Sequence, residues 1–212
     1  MKKSLLVLIV LFALTLPALA SEKVRTIKKN YSSAQASELS LDVPVGDVHL
    51  ATYDGHDVQV EMTITCRSAG WKCKDKAERI ELVSRVTGRE LKVEVKGYPK
   101  HSSHGLNLDL EVRLPAQMAF HLELGVGDVK ISGVKKDLSL KVGVGDVTVD
   151  MPSPAVRSVE LDAGVGDADL RVDGRHTEGS GFIGKSLSWS AGKGAARIKV
   201  EVGVGDVNVR LR

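Results

Sequence analysis

Five aspartates in this chain share one context. Asp47, Asp128, Asp146, Asp167 and Asp206 each follow a glycine that itself follows a valine, so Val-Gly-Asp occurs five times. A carboxylate repeated in that way could accept backbone N–H groups at a bend, hold a hard cation, or pair with another as acid and base. If Asp128, Asp146 and Asp167 stack on neighbouring strands, their carboxylates lie roughly 4.8–6 Å apart. Repulsion at that distance is roughly 0.7–0.9 kcal/mol per pair in water and larger near a protein surface, which favours a cation between them. These three are therefore the candidate metal ligands of an alternative reading, with Ca²⁺ the ion. The leading reading is a splayed, solvated column of corner residues screened by water, with no cofactor. The familiar calcium-binding β-roll repeat is G-G-x-G-x-D-x-U-x, whereas here Asp follows Gly directly.

Cys66 and Cys73, in "CRSAGWKC", are the two cysteines. In an exported chain a local disulfide is the default. A zinc site would add His101 and His104 of "HSSH", but both spacings miss the usual short ligand patterns. "GVGDVK" lacks the third glycine of a dinucleotide fingerprint. "EGSGF" is not a nucleophile elbow, since one residue separates Glu178 from Ser180. The six histidines are scattered. These observations predict no enzyme; a hydrolase of envelope polymer would need carboxylates brought together by the fold.

What must position the aspartates is strand. Upstream of each Gly-Asp, apolar residues fall at every second position, as in Leu138, Leu140, Val142 and Val144. Downstream the alternation resumes out of phase, at Val147 and Val149. Period two marks a strand with one buried face, and the slip requires a bulge or corner at Gly46-Asp47, Gly127-Asp128, Gly145-Asp146, Gly166-Asp167 and Gly205-Asp206. Asp128 to Asp146 is 18 residues, Asp146 to Asp167 is 21, and Asp167 to Asp206 is 39. The last spacing fits two turns, with a degenerate one around "GFIGKSLSWSAG". Repeats of this length predict an all-β, single-domain β-solenoid, a right-handed β-helix or β-roll with coils of about 18–21 residues, over 38–212. From Tyr53 to Pro115 the repeat loosens, leaving a partly antiparallel sheet open and placing a cysteine-loop insertion near 63–100. Residues 21–37 read as a polar lead-in.

The beginning of the chain has the layout of a cleavable secretory signal peptide over 1–20: Lys2 and Lys3, an apolar run from Leu5 to Leu16, and Ala18-Leu19-Ala20 before Ser21. Its loss leaves 28 basic and 27 acidic residues, a net charge of +1, which gives no footprint for nucleic acid. Aromatic residues are 4% of the sequence, too few for the girdles of a transmembrane barrel. A periplasmic or secreted protein is expected, not integral to the membrane once its leader is removed.

"LSLDVPVGDVHLATYDGHDVQVEM" and "LELGVGDVKISGVKKDLSLKVGVGDVTV" resemble the putative-adhesin β-solenoid family of bacterial envelope proteins, from roughly Leu39 onward. The resemblance implies the fold, export and an adhesin-like role of unknown detail, and no catalytic residues. The function expected is thus a non-enzymatic module that binds or scaffolds at the cell envelope, with an envelope protein or polysaccharide as partner. Outward rows such as Lys130, Thr148, Asp169 and Asn208 would meet it. A Ca²⁺-stabilised secreted structural module is the alternative, followed by the envelope-polymer hydrolase.

Overall fold

The computed structural model describes residues 22–67, 71–101 and 105–212. The leader and His104 lie outside them. The strands are β1 (Glu22–Ser32), β2 (Glu38–Val45), β3 (Asp47–Tyr53) and β4 (Asp57–Cys66), followed by the helix α1 (Trp71–Glu78). Next come β5 (Glu81–Thr87), β6 (Glu90–Lys96), β7 (Leu106–Pro115), β8 (Ala119–Val126), β9 (Val129–Ser132), β10 (Leu138–Val144) and β11 (Val147–Met151). A short 3₁₀ turn leads into β12 (Val156–Val165), then β13 (Ala168–Val172), β14 (Arg175–Glu178), β15 (Lys185–Trp189), β16 (Ala196–Val204) and β17 (Val207–Leu211). No helix among the described residues is long and apolar enough to cross a membrane.

Five consecutive strand pairs bend at Gly-Asp, and each sends one arm into each of two sheets. The nine-stranded sheet runs β1-β4-β7-β3-β9-β11-β17-β13-β14, and the eight-stranded sheet runs β15-β12-β16-β10-β8-β2-β6-β5. Alternation makes the layer between them. In β10 the residues Leu138, Leu140 and Val142 are buried, and in β11 Val147, Val149 and Met151 are. The same inward rows from every arm fuse into one apolar core, with Phe120, Leu39, Leu41 and Met62 among its largest fully buried side chains. Fully burying each such side chain contributes roughly 1.5–3 kcal/mol.

The β-solenoid expectation is overturned. Both sheets are open and mixed, and the bent pairs do not stack in chain order: β16–β17 lies between β10–β11 and β12–β13. The inner pairs are parallel, while β1, β4, β5, β14 and β15 are antiparallel additions at the edges. A phase slip in the alternation says that a segment turns a corner. It carries no information on which bent segment lies beside which.

Three local readings change with it. "GFIGKSLSWSAG" is no degenerate coil, because β15 pairs antiparallel with β12 at the sheet edge. The polar lead-in holds β1, an eleven-residue strand paired with β4 from Glu22↔Cys66 to Ser32↔Asp57. As an outermost strand it buries only Ile27, so its composition stays polar. The cysteine-loop region carries α1, which buries Cys73 and Ala77, and the antiparallel strands β4 and β5 on either side of it.

Candidate binding groove

The aspartate corners lie in one line, in the order Asp47, Asp128, Asp146, Asp206, Asp167. The backbone N–H of Asp128 donates to Asp47 Oδ1 at 3.0 Å, that of Asp146 to Asp128 Oδ1 at 3.0 Å, that of Asp206 to Asp146 Oδ1 at 2.8 Å, and that of Asp167 to Asp206 Oδ1 at 2.8 Å. The N–H groups of Gly46, Gly127, Gly145 and Gly205 instead donate to the carbonyl of the valine in the next arm, as Gly145 does to Val204 at 2.9 Å. The carboxylate thus stands in for the backbone acceptor that the corner removes. Asp167, at the end of the line, has no following arm, and its Oδ1 accepts from Lys185 Nζ at 2.6 Å. That contact holds the Lys185 ammonium above its ordinary range, with Glu178 and Asp169 adding to the effect.

Of the proposed Ca²⁺ ligands, Asp128 and Asp146 are neighbours, while Asp206 intervenes between Asp146 and Asp167. Cys66 and Cys73 form a disulfide with Cα atoms 6.2 Å apart, so neither is a thiolate for zinc. His101 is on the surface.

Glycine at the corner is demanded twice over. Gly145 has φ +142, and a Cβ there would stand 1.9 Å from the Gly127 carbonyl oxygen. One strand position before each corner valine sits a second column: Pro44, Gly125, Gly143, Gly203 and Gly164. A Cβ on Gly143 would come within 2.5 Å of the Gly125 oxygen, so this column too is set by the close approach of neighbouring arms.

Between those columns stand Val45, Val126, Val144, Val204 and Val165, paired in register across the eight-stranded sheet. The alternation predicts that they face inward. Four of them are instead about half exposed, at 46–49%, although each is the last paired residue of its strand. Beside the glycine column lies a row of charged residues: Asp42, Glu123, Lys141, Glu201 and Asp162. Lys199 Nζ lies 2.8 Å from Glu201 and holds its carboxyl below the usual glutamate range. The charged row and the glycine column line a groove of about 720 Å³ across the strands, and the corner valines, the next residue along each arm, are not part of its lining. At roughly 4.8 Å per strand, five arms extend it over about 19 Å.

A trough of missing side chains edged by a charged row, with an apolar row at the next position of each arm, suits a ligand lying across the strands. Residues 18–173 match the N-terminal domain of toast_rack, DUF2154. The chain belongs to that family. The match stops before β16–β17, yet the toast_rack fold in this chain seats that arm inside both sheets. Among solved structures, a putative cell adhesion protein from Clostridium sporogenes is 17% identical with a TM-score of 0.55, covering 89% of this chain and 99% of that one. It shares the fold. A putative adhesin from Bacteroides fragilis aligns at 11% identity and a TM-score of 0.35, over 87% and 97% of the two chains. No curated protein matches the sequence.

Proposed function

We propose that this toast_rack domain is an exported, non-enzymatic binding module of the bacterial envelope, and that the corner-valine row of the eight-stranded sheet, one residue along from the groove, meets an extended partner, polysaccharide or envelope protein. The observation that carries the reading is the half-exposed valine row. Backbone crowding accounts for both glycine columns, and hydrogen bonding accounts for the aspartates. Neither requires an apolar side chain in solvent at the same place in four of the five arms. A contiguous exposed apolar strip of this kind marks an interaction surface. The name of the Clostridium sporogenes protein that shares the fold, a putative cell adhesion protein, agrees with a surface role. The leader-like first twenty residues support export. Hydrolysis is disfavoured at Glu201, which Lys199 keeps low; a general acid needs its carboxyl raised.

The test replaces Val126, Val144 and Val204 together by Thr, which keeps the branched shape and strand preference but adds a hydroxyl to each. Glycan arrays and crosslinking to envelope fractions of a host cell are read for both proteins, with circular dichroism as the check on folding. Loss of the wild-type signal in a folded triple variant supports the valine row as the contact surface. Equal signals in the two proteins, or none from the wild type, reject it.

A further inference from the structure

Among the described residues, one group of three side chains has the chemistry and spacing of a metal site: Asp169, His176 and Glu178, whose ligand atoms all lie within 4.8 Å of one another. It lies apart from the groove, on the outer face of the nine-stranded sheet at its β14 edge. The sequence explains how the three meet. Val172-Asp173-Gly174-Arg175 is a two-residue hairpin, with Asp173 at φ 48 and Gly174 at φ 85. Two positive φ values in an Asp-Gly pair are the signature of the tight turn whose twist matches flanking strands. That turn fixes the register, so Glu178 pairs directly with Asp169 and His176 with Arg171. Residues 176 and 178 then share a face. His176 Nε2 is 2.9 Å from Asp169 Oδ1.

Two features of this hairpin favour a cation beyond the Lys185 ammonium that already acts on both carboxylates. Asp169 and Glu178 stand opposite each other, and like charges in that position are destabilising. In addition, β14 buries nothing, since Arg175, His176, Thr177 and Glu178 are all exposed. Apolar burial therefore does not hold this edge strand to β13. One imidazole and two carboxylates are a donor set for a divalent transition metal, not for Ca²⁺. Around a zinc-sized ion with bonds of about 2.1 Å, such ligands sit roughly 3.4 Å apart, so small rotations of exposed side chains close the set.

We propose that Asp169, His176 and Glu178 bind one divalent transition-metal ion of the zinc class, stapling β14 to β13 and leaving a fourth coordination position open to solvent. Lys185, engaged with Asp167 and close enough to act on Glu178 and Asp169, and Arg171, opposite His176, oppose the ion's charge. They limit the site to modest affinity.

The experiment titrates Zn²⁺ alone into the untagged chain by calorimetry and follows amide hydrogen exchange of β14. One equivalent binds, and exchange in β14 slows. In His176→Ala and, separately, Glu178→Gln, affinity falls at least about tenfold and exchange no longer responds. His121→Ala, on the other sheet, leaves both unchanged. No binding, binding that survives both site substitutions, or binding that His121→Ala removes, each overturns the proposal. Glu178→Gln keeps size and shape, so a loss there reports the ligand and not the fold.

Discussion

At the scale of single residues, the repeated aspartate is an acceptor placed where the sheet lacks one. Asp146→Ala leaves the Asp206 N–H to water and is expected to cost about 1 kcal/mol. Asp146→Asn keeps an oxygen in place and relieves repulsion along the column, so its melting temperature should stay near that of the wild type. Both follow from thermal melts at low salt, and melting in calcium should match melting in chelator if N–H donation is what the carboxylates are for. Gly145→Ala meets a carbonyl oxygen at 1.9 Å as well as an unfavourable φ and should cost about 3 kcal/mol or more. Gly88 is the control, with φ +60 and nothing within 4 Å of a Cβ. There alanine should cost only about 1–2 kcal/mol. A denaturant series that ranks the two glycines the other way would remove crowding as the reason for the corner. The bend was readable in the sequence, because a phase slip at Gly-Asp needs one, whereas the sequence left the carboxylate between backbone acceptor and cation ligand. The exposure of Val126 and Val144 was not readable. Period-two counting assigns them inward, and it carries no information on where along an arm the buried layer ends.

Among the elements, those at the sheet edges were the hardest to read, since they bury least. β1 and β14 are largely polar for the same reason: each has a neighbour on one side only. The helix α1 is short, and its hold on the sheet combines two buried residues with the Cys66–Cys73 bridge to the end of β4. Replacing both cysteines by serine should lower stability by roughly 2–3 kcal/mol on the chain-entropy account, with hydrogen exchange accelerating first in α1. Unchanged exchange there would mean that packing alone secures the helix. Lys185 closes the aspartate line at its far end. Its folded pKa is raised by Asp167, so its contribution is full below the pKa of an unfolded lysine and fades as pH climbs through the folded value. The melting difference between wild type and Lys185→Met should accordingly hold steady through neutral pH and shrink only in strong alkali. A difference that already vanishes near neutrality would show that the ammonium contributes nothing to the cap.

On the scale of the whole molecule, the order of arms decides how the parts depend on one another. In a consecutive coil, the sequence after residue 195 would be a terminal rung, and its removal would merely expose the rung before it. Here β16 and β17 supply the parallel partners of β10, β11, β12 and β13. Ile198, Val200, Val202, Val207 and Val209 fill the middle of the core. Alternation and corner spacing identify this segment as an arm of the same kind as the others, and so most of each arm's inward face was legible. Its place was not, because all five arms present nearly the same apolar rows and the same Gly-Asp corner, and local pattern gives no preference for one neighbour over another. The consequence is testable. Deleting residues 196–212 should abolish cooperative unfolding altogether, since both sheets lose an interior strand and the Asp146 and Asp167 corners lose the partner between them. A peptide of residues 195–212 supplied in trans should restore a cooperative transition whose midpoint rises with peptide concentration, as expected for a ligand that binds only the folded state. A truncated chain that melts cooperatively by itself, a few degrees below the full one, would instead restore the picture of independent stacked rungs.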